Sequence, residues 1–306
     1  MTMAGDVRTV APASALESQP LNEYAPIRRL MLCDARTAFR SQAHLEAAWP
    51  KEEFLERPDF DAALAEYDAF VQVLADAGIG IDPFPGDGGL GISSIYIRDS
   101  SLVARGGAIL CNMRNGYRAG EPNAVGAHYE ALGVPVRGAI TGEGLLEGGD
   151  FIWLDAQTCA VANGYRTNPE GIRQLREILG PDVHVEAVPL PHYQGPGACL
   201  HLMSIISPLD HDLALVYSPL MAVPFRNWLL ARGITLVEVP DEEYGPTMGC
   251  NALALAPRKC LVIDGNPETR KRLEAAGCEV FAYKGREISI KGGGGPTCLT
   301  RPLLRG

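Results

Sequence analysis

The chain has 306 residues, 46% of them hydrophobic and 21% charged, an ordinary globular composition that can bury a sizeable core without disulfide staples. A formal net charge of -10 and a pI of about 5.1 argue against nucleic acid or an anionic membrane as the main partner. The opening residues do not read as a signal peptide and no apolar run reaches the ~20 residues needed to span a bilayer, so a reduced cytoplasm is the expected location.

Residues 1–20, rich in Ala, Ser and Thr, read as a loose arm, and residues 21–306 as one domain without an internal linker. Arg28 to Cys33 reads as a strand. From Asp59 to Ala77 the apolar residues Phe60, Leu64, Tyr67, Phe70, Val71 and Leu74 recur at helical spacing, with Gly78 as the stop. The glycine-rich stretch from Phe84 to Ser94 is either a lid or a long turn. A strand is expected to run into Tyr96-Ile97-Arg98-Asp99, a second from Leu102 to Cys111, then a helix from Ala124 to Leu132. The rhythm returns with strand-like runs between Phe151 and Ala162 and a helix from Pro169 to Leu179. It returns again with strands at His201 to Ser207 and Leu213 to Tyr217 before a helix from Met221 to Arg232. Two strands between Ala252 and Ile263, a helix from Pro267 to Ala276 and a strand from Val280 to Tyr283 follow. Each unit reads strand, strand, helix, strand, which predicts an α/β fold built from an internal repeat.

Eight cysteines are scattered with no C-x-x-C pair, and seven sit where buried reduced thiols are expected. Cys298 differs. It follows Lys291-Gly-Gly-Gly-Gly-Pro-Thr, and four glycines let a planar ligand or backbone amides approach closely. Three other places interrupt the apolar rhythm: Glu147-Gly-Gly-Asp150 at a strand mouth, His201 opening an apolar run, and the Arg98-Asp99 pair. Asp210, His211 and Asp212 look like a turn and lack the offset spacing of a zinc site.

Taken in order, Asp99, Glu147-Gly-Gly-Asp150, His201 and a glycine-rich loop with Cys298 resemble the guanidine-modifying superfamily. That group holds arginine deiminases, dimethylarginine dimethylaminohydrolases and amidinotransferases. Arg114-Asn-Gly-Tyr-Arg118-Ala-Gly-Glu121, Gly164-Tyr-Arg166-Thr-Asn168 and Gly249-Cys-Asn251 extend the resemblance from about Arg28 to Arg305. It implies a five-bladed β/α propeller of ββαβ units, in agreement with the repeat. It also implies Cys298 as nucleophile, His201 as acid and base, and Glu147 orienting His201. Asp99 would pair with the guanidinium nitrogens. Arg166 and Arg114 would hold a substrate carboxylate, with Asp150 also assigned to substrate binding.

The deiminases carry an aspartate two residues after the histidine, where this chain has Met203. An apolar side chain there suits an N-alkyl group, as in dimethylargininases. The expectation is a hydrolase of arginine-like guanidines passing through a thiouronium on Cys298, with no metal or organic cofactor. An amidinotransferase is the nearest alternative, and a non-catalytic binding protein of the same fold the next. The partner is a small guanidino compound, and a homodimer is compatible with the sequence.

Overall fold

The computed structural model describes residues 13–86 and 89–306. Among the described residues fifteen strands are arranged in five three-stranded sheets. In chain order they are β1 (Ile27–Cys33), β2 (Gly80–Phe84), β3 (Ser101–Ala104), β4 (Gly107–Leu110), β5 (Val136–Ala139), β6 (Phe151–Asp155), β7 (Thr158–Asn163) and β8 (His184–Pro189). They continue with β9 (Ile206–Asp210), β10 (Leu213–Val216), β11 (Thr235–Glu238), β12 (Leu253–Ala256), β13 (Lys259–Ile263), β14 (Glu279–Tyr283) and β15 (Arg301–Arg305).

Every sheet has the same plan. A middle strand (β1, β4, β7, β10 or β13) pairs antiparallel with one neighbour and parallel with the other. Parallel pairing needs a crossover, and each one contains a helix: Phe60–Asp76, Glu121–Ala131, Pro169–Leu179, Val223–Ala231 or Pro267–Ala275. The expected strand, strand, helix, strand unit therefore recurs four times in order. The fifth sheet is split, with β15 supplying the antiparallel edge of β1.

Local sequence explains the elements. Middle strands such as Leu213–Val216 are apolar at every position and fully buried, as strands covered on both faces must be. Helix Phe60–Asp76 is capped by Asp59, which accepts from the Ala62 amide, and buries Ala63, Tyr67, Phe70 and Leu74 on one face. Gly78, with φ of 77°, ends that segment in a conformation that favours glycine.

Three expectations change. The single strand expected from Leu102 to Cys111 is instead the antiparallel pair β3 and β4. The arm was expected to extend through residue 20; residues 1–12 lie outside the described part, while Ala13–Ser18 is helical and Leu16 is buried in the largest core cluster. Tyr96 to Asp99 and His201 to Ile205 are also not strands. Ile97–Ser100, Gly148–Asp150 and Leu202–Ser204 are single 3-10 turns placed just before β3, β6 and β9. Of the glycine-rich stretch from Phe84 to Ser94, Asp87 and Gly88 lie outside the described residues, and Ile92–Ile95 is a buried turn. Among the described residues no helix is long and apolar enough to cross a membrane.

Candidate active site

The turns before the first strand of each unit present one functional group apiece. Asp99 precedes β3, Glu147 precedes β6, His201 precedes β9, Asn251 precedes β12 and Cys298 precedes β15. A repeated scaffold thus brings together residues far apart in sequence. Glycine makes the approach possible: a Cβ on Gly149 would lie 2.5 Å from His201 Nδ1 and 2.9 Å from Asp99 Oδ1. The two glycines between Glu147 and Asp150 are therefore a packing requirement of the site.

Glu147 is fully buried and its Oε2 lies 2.8 Å from His201 Nε2, so the carboxylate fixes the imidazole. The Nδ1 edge of the ring faces Asp99 Oδ1 at 3.8 Å and Cys199 Sγ at 3.7 Å. Asp99 is held in turn by Arg118, whose Nη1 donates at 2.7 Å, and by the Gly149 amide at 3.1 Å. Cys298 keeps partial exposure, and the Asn251 side-chain amide reaches its Sγ at 3.5 Å. The Asn251 carbonyl accepts from both the amide and the hydroxyl of Thr297, which fixes the loop carrying the thiol.

Charge divides unevenly among these groups. Burial would raise the carboxyl of Asp99, but the His201 and Arg118 cations outweigh it and hold Asp99 below its ordinary range. Glu147 is likewise held down, burial being overcome by its hydrogen bond and charge interaction with His201. Burial opposes charge on His201, yet the Cys199 thiol and the Asp99 and Asp150 carboxyls keep it protonated well above the usual histidine range. Cys298 moves the other way, since burial and then Asp99 raise its thiol above 9.0 and His201 compensates only in part. Asp150, which accepts from Thr167 Oγ1 and the Leu202 amide, is pushed up to about 6, mainly by burial.

The structure therefore gathers Cys298, His201, Glu147, Asp99 and Arg166. Arg166 Nη1 lies 3.6 Å from Glu147 Oε2 and its Nη2 lies 3.5 Å from Glu53, while its buried Nε has no hydrogen-bond partner. Arg114 is half-buried at the rim; its amide donates to Glu147 and its guanidinium to Asn115. Asp150 acts from beneath, tying the turns of the second and third units together. Met203 packs in an apolar cluster and lines a small cavity with Thr297 and Arg98.

Four contributors were not assigned from sequence. Arg118 and Asn251 lie within the quoted motifs, but their roles are set by their contacts with Asp99 and Cys298. Glu53, at φ of 60°, reaches over the site from the segment after Trp49 and accepts from Asn115 and Tyr117. Cys199, expected among the buried thiols, is exposed and stands beside His201. Asp99, Glu147 and His201 form a buried cluster that can hold a divalent ion, but Arg118 already occupies Asp99 Oδ2.

A thiol and a carboxylate-held imidazole beside a fixed anion can perform nucleophilic chemistry on a planar cation. Comparison with known proteins agrees. A model of the eukaryotic N,N dimethylarginine dimethylhydrolase family matches residues 36–305, and the chain belongs to that family. The arginine deiminase of Mycobacterium marinum is 28% identical over 269 residues, covering 77% of this chain and 64% of that protein. An uncharacterized protein, YkgA of Bacillus subtilis, is 29% identical over 212 residues, covering 69% of this chain and 70% of its own. Several of the curated deiminases are matched over only about half their length, for example 46% for that of Rhodococcus opacus. Among solved structures, DDAH from Pseudomonas aeruginosa complexed with citrulline superposes with a TM-score of 0.72 at 22% identity, covering 92% of this chain and 100% of that one. The amidinotransferase SxtG from Microseira wollei gives 0.73 at 16% identity, covering 94% and 97%.

Proposed function

We propose that the protein hydrolyses an arginine-like guanidine through a covalent intermediate on Cys298. The observation that carries this reading is the convergence of Cys298, the His201–Glu147 pair and Asp99 from four different units. A guanidinium carbon is a weak electrophile because its charge is spread over three nitrogens. It therefore demands a strong nucleophile, fixed orientation and a proton for the departing amine.

In the resting site Cys298 is a thiol and His201 a cation. Asp99, kept ionised by Arg118 and His201, orients the guanidinium, whose charge then favours the Cys298 thiolate as the thiol proton leaves to solvent. The thiolate adds to the central carbon, and the C–N bond breaks as protonated His201 gives its proton to the amine. An S-alkylthiouronium remains. Neutral His201 then takes a proton from water, hydroxide adds to the same carbon, and the C–S bond breaks to return Cys298 and a ureido product. Glu147 stabilises the imidazolium at both stages.

Arg166 suits a substrate carboxylate because its Nε is unpaired and its partner Glu53 lies on the overlying segment, where a ligand can replace it. Arg114 is placed to share that anion at the rim, and Asp150 supports it indirectly by fixing the turn that begins at His201. Met203, in place of an aspartate, supports preference for an N-alkylated guanidine. The five equivalent sheets, together with the β1–β15 pairing, support a closed five-bladed propeller formed by residues 21–306.

The test is incubation with arginine, mono- and dimethylarginine and short guanidino acids, with no acceptor amine present. Citrulline from a methylated arginine, absent in Cys298→Ser, is expected. Turnover seen only when an acceptor amine is supplied would replace hydrolysis by amidino transfer.

A further inference from the structure

Away from the Cys298 site, three arginines lie within the protein almost without counter-charge. Arg98, Arg301 and Arg305 are 1%, 4% and 6% exposed. Among the described residues the recorded ion pairs of Arg98 and Arg305 both go to Glu23, at 3.5 and 4.0 Å, and Arg301 has none. One carboxylate facing three guanidiniums leaves a local excess of two positive charges. Such charges are costly inside a protein unless they are paired.

Their hydrogen bonds are also incomplete. Arg98 Nε donates to the Thr297 carbonyl at 2.9 Å, Arg301 Nη2 to the Arg98 carbonyl, and Arg305 Nη1 to the carbonyls of Ala25 and Ala254. Arg98 Nη2, Arg301 Nε and Arg305 Nη2 have no hydrogen-bond partner, and neither has Nε2 of the buried Gln19. All four residues line one cavity of about 30 Å³, walled also by Phe151, Trp153 and Glu23, whose single carboxylate leaves the excess positive charge unbalanced. That space fits one small particle. A water would supply hydrogen bonds but no charge. The missing partner must accept several N–H groups and carry negative charge.

We propose that this cavity binds one small monovalent anion of the halide class, chloride under ordinary conditions. Burial lowers the guanidinium pKa of both Arg301 and Arg305 to about 10, the cost that a bound anion would relieve. The anion is structural, and its position matters to the chemistry. The Arg98 amide donates to the Cys298 carbonyl at 3.1 Å, Asp99 follows Arg98 directly, and Arg301 lies three residues after Cys298. The anion would thus brace the two turns that present Asp99 and Cys298, and bind them to the segment around Gln19 and Glu23.

Gln19 provides a near-isosteric test. Its Oε1 accepts from the Arg305 amide at 3.2 Å, a bond a carboxylate can keep, while its Nε2 is buried and unpaired in a residue that lines the cavity. Gln19→Glu therefore supplies a tethered anion. Melting temperature is measured in potassium gluconate, whose anion is too large for the cavity, and in potassium chloride at constant total potassium. Wild type is expected to gain about 5 °C along a saturating chloride curve. Gln19→Glu is expected to melt as high in gluconate as wild type does in saturating chloride, with a flat response. A wild-type curve indifferent to chloride, or a Gln19→Glu curve parallel to it, overturns the proposal. Crystals grown in bromide give an independent reading should the variant not fold. An anomalous peak among Arg98, Arg301 and Arg305 is expected, and a cavity without one refutes the site.

Discussion

Replacing Asp150 with asparagine isolates the cost of a buried carboxyl at the centre of the candidate site. Asp150 lies between the second and third units, accepting from Thr167 and from the Leu202 amide, and its value rises from 3.8 to about 6. It is an acid whose folded value exceeds its unfolded one. The stability favouring its protonated form is therefore complete below about pH 4 and is lost as pH rises through about 6. A shift of about two units corresponds to roughly 3 kcal/mol in total, of which about 2.4 falls between about pH 4 and about pH 7.5. Asparagine keeps the acceptor for Leu202, and the Thr167 hydroxyl can turn to accept from its amide. Urea unfolding of both proteins at these two pH values is the assay. The stability of Asp150→Asn relative to wild type should improve by about 2 kcal/mol on going to the higher pH. Parallel pH profiles would show that Asp150 is ionised without penalty and would remove burial as the dominant influence on it.

Two further outcomes follow from the same electrostatics. In a Cys199→Ser background, alkylation of Cys298 by iodoacetamide should keep accelerating through about pH 9, because burial and Asp99 hold the free thiol protonated; a plateau below about pH 8 would mean a preformed thiolate. Arg118→Met should destabilise the fold by about 3–5 kcal/mol in urea unfolding, since it strands the buried carboxylates of Asp99 and Glu121. A loss under about 1 kcal/mol would show that these acids find other partners or take up protons at little cost.

Much of the architecture was legible because it rests on local rules. Helical spacing, with Gly78 as a stop after the first, located the crossover helices. Cys298 was marked by the glycines before it, and Glu147 and Asp150 by the glycines between them. Asp99 and His201 were identified but assigned to strands, because single 3-10 turns have no period to distinguish them from an apolar run entering a sheet. Contacts between residues distant in sequence were less accessible. Arg118 meets Asp99 across 19 residues and Asn251 meets Cys298 across 47, separations at which neither spacing nor residue type reveals a partner. Cys199 was misjudged for a related reason, since it lies in the irregular stretch 190–201 and not in an apolar strand.

The split sheet also bears on when the site comes into being. Met31 pairs with Arg301, so the turn holding Cys298, already braced by Asn251, is completed once opposite regions of the chain have met. Four of the five converging groups precede complete local units, whereas the thiol precedes the strand whose partner is most distant in sequence, a pairing that closes the largest loop. A chain that has not paired β15 with β1 lacks the ladder that anchors the far side of that turn. Catalysis would then serve as a certificate of completed folding, and immature chains would be spared an aligned reactive sulfur while their surfaces are still open.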